Sequence, residues 1–128
     1  LLGCNNRWFK DGLACAQWHE LPSDCRIRLF TPPYFLGSKL EAYAGRGAHN
    51  PLGSQDLEDI LNLVNGREEL LQEVESAAPE LRAYLAEKLA ELLNNRDFAY
   101  LVQDAARGDN ERERIIWQRL QHIAQVAT

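Results

Sequence analysis

From Ser54 to the C-terminus, apolar residues recur at intervals of three and four, and each run is bounded by a residue that starts or stops a helix. That punctuated period of 3.6 leaves little choice of fold. Each helix so marked has one apolar stripe to bury, and neighbouring helices are what can bury it. Ser54 stands where an N-cap belongs, ahead of Leu57, Ile60, Leu61 and Val64, and Asn65-Gly66 ends that run. Arg67 to Ser76 carries a shorter stripe of Leu70, Leu71 and Val74. Pro79 opens the most regular helix, with Leu81, Tyr84, Leu85, Leu89 and Leu92 on one face, and Asn94-Asn95 closes it. Phe98, Leu101 and Val102 mark another helix, ended by Gly108. Asp109 or Asn110 caps a last one bearing Ile116, Leu120 and Ile123.

The first third mixes shorter elements. Trp8 to Ala14 reads as a short helix. Ala16–Leu21 and Arg26–Phe30 flank Pro22-Ser23-Asp24, which reads as a β-hairpin, and Arg26-Ile27-Arg28-Leu29 alternates as a half-buried strand does. Thr31 can cap a helix with Pro32 at its first position and Leu36, Leu40 and Tyr43 on its inner face, ended by Gly45 and Gly47. The expected fold class is therefore mostly α (α+β): a helical bundle preceded by a short N-terminal hairpin. The expected division is residues 1–53, hairpin and first long helix, and residues 54–128, the bundle.

No apolar run approaches the ~18 residues of a membrane span, and the N-terminus lacks the pattern of a signal peptide. Cys4, Cys15 and Cys25 are odd in number, without metal-type spacing, which points to a reducing, cytoplasmic setting. The chain has no methionine, so either the start lies upstream of Leu1 or the initiator is removed. Residues 1–50 carry six Lys/Arg against four Asp/Glu, and residues 51–128 carry eight against fifteen. An acidic helical half argues against non-specific nucleic-acid coating, while the basic excess of the first part remains compatible with a phosphate-bearing ligand.

The chemistry-bearing stretch runs from Lys39 to Asp59. Lys39 sits on the flank of an apolar stripe, where a lysine either snorkels past the core or reaches into a site. Arg46, seven residues on, shares nearly the same face, so two cations cover one surface, suited to a triphosphate or to acidic partners. Asp56 and Asp59, three apart in the first turns of the next helix, are favoured there by the helix dipole and can also pair with Lys39 or Arg46. As a metal site the pair alone is weak. His19, His49 and His122 have no zinc-type spacing, and Ser38 and Ser54 stand in no nucleophile elbow.

The run Thr31-Pro32-Pro33-Tyr34-Phe35-Leu36-Gly37-Ser38-Lys39-Leu40-Glu41-Ala42-Tyr43-Ala44-Gly45-Arg46-Gly47, with Gly53-Ser54-Gln55-Asp56-Leu57-Glu58-Asp59-Ile60 and Asn65-Gly66-Arg67, resembles the second half of bacterial nucleotidyltransferase-like proteins. These are of the abortive-infection, toxin–antitoxin-associated kind, in the polymerase-β-like superfamily. Asn5-Asn6-Arg7-Trp8 and the Arg26-Ile27-Arg28 strand also fit, so the resemblance covers about residues 2–75. It implies transfer of a nucleoside monophosphate from a nucleoside triphosphate. In complete members a Gly-Ser, an Asp-x-Asp and a third Asp hold divalent metal such as Mg²⁺ for in-line attack. It assigns Lys39 to steady phosphate charge and Asp59 with Asp56 to orient the lysine or the substrate; Arg46 is expected to bind substrate with Lys39 because the two share one helical face.

Two departures matter. The sequence holds no Asp-x-Asp, so the chain is expected to bind no metal cofactor and to be inactive alone, completed by an upstream half or by a partner chain. His49-Asn50-Pro51 replaces the acid often found before the serine-capped helix. The alternative is a non-catalytic helical interaction or regulatory module of a toxin–antitoxin pair.

Overall fold

A computed structural model describes residues 17–20, 26–29, 31–46 and 48–126. The expected Trp8–Ala14 helix and the three cysteines lie outside the described residues. Two strands, β1 (Gln17–Glu20) and β2 (Arg26–Leu29), pair antiparallel with Gln17 opposite Leu29 and Glu20 opposite Arg26. Six helices follow: α1 (Pro32–Arg46), α2 (Gln55–Gly66), α3 (Leu70–Glu75), α4 (Pro79–Leu93), α5 (Arg96–Ala105) and α6 (Asn110–Ala124). A 3₁₀ turn, Pro51–Gly53, leads into α2. The described part of the chain is mostly helical.

Local chemistry sets the boundaries. Pro32 begins α1 with a ring that fits the first helical turn, and the Phe35 amide donates to the Thr31 carbonyl at 3.0 Å. The Ser54 hydroxyl accepts from the Leu57 amide at 3.2 Å, taking up one of the donors a helix start leaves open. Asp109 does the same for α6, accepting from Glu111 and Arg112. Asn95, read from sequence only as a stop, also starts α5: its side-chain oxygen accepts from Asp97 at 2.8 Å and Phe98 at 3.2 Å. Between α5 and α6 the backbone reverses through two left-handed residues, Arg107 (φ 52°) and Gly108 (φ 81°). Glycine suits such a φ; an arginine there is strained.

One core joins all six helices. Leu36 and Leu40 of α1, Leu57 and Ile60 of α2, Leu81 and Leu85 of α4, Phe98 of α5 and Ile116 and Leu120 of α6 belong to a single buried cluster. α4 packs on both α1 and α6, while α2 packs against α1 and α5. The apolar positions spaced at three and four in the sequence are the ones buried: Leu57, Ile60, Leu61 and Val64 on α2, and Leu81, Tyr84, Leu85, Leu89 and Leu92 on α4. Leu101 and Leu71 are only half-buried at the edges. Among the described residues no helix is long and apolar enough to cross a membrane.

Side chains bridge elements at the polar margin. The Tyr84 hydroxyl of α4 donates to Glu41 of α1 at 2.7 Å. Arg119 of α6 donates to the Val64 and Asn65 carbonyls at 2.9 Å, satisfying the C-terminal end of α2. Two substitutions separate these contributions. Leu89→Ala, at a fully buried site, is expected to lower unfolding free energy by about 2–5 kcal/mol. Asn95→Ala, which leaves two α5 amides without their acceptor, is expected to cost about 1 kcal/mol. Urea denaturation of both variants checks the order; equal losses would contradict this account of the core.

Candidate functional site

The residues singled out by the sequence meet where α1 crosses the start of α2. Lys39 lies at the middle of α1, with Leu36 and Leu40 buried on either side of it. Its stem therefore runs along the core edge while its ammonium emerges over α2. Asp56 and Asp59 sit one turn apart on α2, so both carboxylates face that ammonium. The Lys39 Nζ is 2.8 Å from Asp59 Oδ2 and 3.7 Å from Asp56 Oδ1. It also lies 5.5 Å from the centre of the Phe35 ring, whose face attracts a cation. The Lys39 side chain is 16% exposed.

Arg46, the last residue of α1, completes the group. Its guanidinium grips Asp56 with two hydrogen bonds, Nε to Oδ2 at 3.1 Å and Nη2 to Oδ1 at 3.0 Å. This two-toothed geometry is the strong form of an arginine–carboxylate contact. Asp56 is 3% exposed and Arg46 is largely in solvent, so the buried acid reaches outward to its cation. Gln55 donates to Asp59 Oδ1 at 2.9 Å, a contact the sequence reading did not foresee. Gln55 sits four residues before Asp59 on the same helix, which is the signal that would have found it.

The electrostatics follow from these contacts. Burial pushes the Asp59 carboxyl up, but hydrogen bonds from Lys39 and Gln55 and the charge of Lys39 outweigh it and hold the group below the usual aspartate value. The hydrogen bond and charge of Asp56 raise the Arg46 guanidinium further, against a smaller opposing effect of desolvation. Two cations therefore face two acids, and the cluster is close to neutral.

Two concavities adjoin α2. One, of about 510 Å³, is walled by Arg46, His49, Asn50, Gln55 and Asp56. The other, of about 660 Å³, runs between α2 and α5 and mixes Arg107 and Arg112 with Glu58 and Asp104. The smaller cleft adjoins the charged cluster and has the exposed Arg46 guanidinium on its wall. The larger groove sets its two arginines beside two acids, Glu58 and Asp104. His19 falls in β1, and His122 is exposed on α6.

These residues do not fit a divalent cation. Asp56 and Asp59 are already matched by Lys39 and Arg46, and no group of three or more acid, histidine or cysteine donors occurs among the described residues. Comparison with models of known protein families, with curated proteins and with solved structures found no match in any of the three.

The cluster yields a pH-dependent stability. Asp59 is more acidic folded than unfolded, so its contribution is fully present above the unfolded value and is lost as pH falls through the folded one. The urea midpoint is expected to drop on acidification below about pH 4, with Asp59→Asn flattening that part of the profile. Asp56→Ala removes the acceptor shared by both cations and is expected to cost about 1–3 kcal/mol at pH 7. Asp59→Ala, at a more exposed carboxylate, is expected to cost about 1 kcal/mol or less. Finding Asp59 the costlier of the two would contradict the geometry described.

Proposed function

We propose that this chain is the helical C-terminal portion of a nucleotidyltransferase-like protein, and that it does not transfer nucleotides alone. One observation carries the reading: the Lys39 ammonium is held between Asp59, at 2.8 Å, and Asp56, at 3.7 Å. The lysine and the acids come from the two stretches whose motifs bear the resemblance, and they meet at a partly desolvated edge. A lysine reserved for phosphate charge needs that fixed direction and restricted water. In a complete protein Lys39 would meet charge developing on the phosphates, Arg46 would take outer phosphate oxygens, and Asp59 with Asp56 would aim the lysine. The Mg²⁺ that such transfer uses would be held by carboxylates supplied by another segment or a partner chain, because this sequence has no Asp-x-Asp.

The even match of cations to acids supports a second reading. In it the four charges fasten α1 to α2 in a non-catalytic helical module, such as the regulatory member of a toxin–antitoxin pair. A phosphate ligand would then gain little, since Lys39 and Arg46 are already paired.

Titration of the chain with magnesium-loaded nucleoside triphosphates, followed by NMR, separates the two. The first reading expects shifts centred on Lys39 and Arg46 that weaken by about tenfold or more in Lys39→Met. It also expects no release of pyrophosphate. Undisturbed Lys39 and Arg46 signals at millimolar triphosphate would favour the fastening role. Pyrophosphate release that survives repurification would overturn the inactivity of the isolated chain.

A further inference from the structure

The outer face of α5 is unusual for a surface it has no need to bury. Arg96, Ala99, Tyr100 and Gln103 fall at i, i+3, i+4 and i+7, one straight seam opposite the core-facing Phe98 and Val102. All four are exposed, and Tyr100 is one of two large apolar side chains more than half exposed among the described residues. Beside the seam, α6 contributes Glu113 and the half-buried Trp117, and the six residues together line a shallow cleft of about 400 Å³. Trp117 is fixed from beneath, its ring standing edge-on to the buried Phe98 at 6.3 Å between centres.

We infer that this face is a self-association surface, occupied by the same face of a second copy of the chain around a two-fold axis. Three features point to that occupant. Tyrosine, tryptophan and arginine are the side chains that dominate the centres of protein interfaces, and here Trp117 already packs edge-on against Phe98. Ala99 sits mid-seam, where a small residue lets a facing helix come close. The charges are also self-complementary. Arg96 and Glu113 border one cleft with opposite sign, and among the described residues neither has an ion-pair partner. A two-fold contact sets Arg96 of each copy against Glu113 of the other, so that both pairs form at once. A partner of one dominant charge would leave either Arg96 or Glu113 facing its own sign.

Light scattering and sedimentation of the full chain over a concentration series test this, with circular dichroism confirming that each variant keeps its helices. A reversible monomer–dimer equilibrium is expected. Tyr100→Ala, Arg96→Glu and Glu113→Arg should each weaken the dimer by about tenfold or more. The double reversal Arg96→Glu with Glu113→Arg should recover most of that loss, since it restores opposite charges across the axis. A chain that stays monomeric throughout would overturn the inference, whatever else binds the face. So would a dimer indifferent to Tyr100 and to the charge reversals, or one that the double reversal fails to restore.

Discussion

Burial of the α4 stripe is the constraint on which the other packing depends. Leu81, Leu85 and Leu89 are fully buried, and α4 touches α1 on one side and α6 on the other. Each partner helix brings an apolar stripe of its own and shares it with further neighbours, α1 with α2 and α6 with α2 and α5. Withdrawing such a face from water contributes about 25 cal/mol for each Å² of apolar surface, so roughly 100 Å² already outweighs a surface ion pair worth about 1 kcal/mol or less. Placement of α1 against α4 then fixes where Lys39 can emerge. The charged cluster is thus a consequence of the core and not a competitor with it.

At the α1–α2 crossing the two apolar faces run out, and charges take over at the rim. Asp56 is nearly inaccessible there, and a buried carboxylate without partners would be costly. Arg46 supplies a forked contact from solvent and the largely buried Lys39 a second, longer one, so the acid is matched. The arrangement holds α1 to the first turn of α2, where the helix dipole favours an acid. The same arrangement points a lysine outward in one direction. Structural and phosphate-binding roles therefore draw on one geometry, and only a competing anion can tell whether Lys39 exchanges partners.

Much of this was legible from residue spacing because the determining interactions are local. Ser54 and Asp109 cap the helices they precede, Pro32 and Pro79 open theirs, and the apolar stripes name the core. The pairing of Lys39 with Asp56 and Asp59 was legible for a related reason: a cation on the edge of one stripe and two acids on one face of the next helix have few other places to go. What spacing could not supply were contacts between distant residues. Arg119 closing the α2 C-terminus and Tyr84 reaching Glu41 both depend on how helices cross, which no period encodes. The double duty of Asn95, as a stop for α4 and a cap for α5, was hidden because the two helices are separated by only two residues.

The α5 seam shows where periodicity reading is blind in principle. A hydrophobic period identifies the face that must be buried and assigns everything opposite to solvent, so Leu101, Val102 and Phe98 account for the pattern and Tyr100 disappears into the polar remainder. Exposure alone would not distinguish Tyr100 from any stray surface aromatic. Its neighbours do: a small residue shares its face, two charges of opposite sign without ion-pair partners among the described residues border its cleft, and a tryptophan beside it stands against the core. The core and the outer seam of α5 are thus tied through one residue pair, Phe98 and Trp117. A change in Phe98 would therefore disturb the core and the Trp117 side of the seam together.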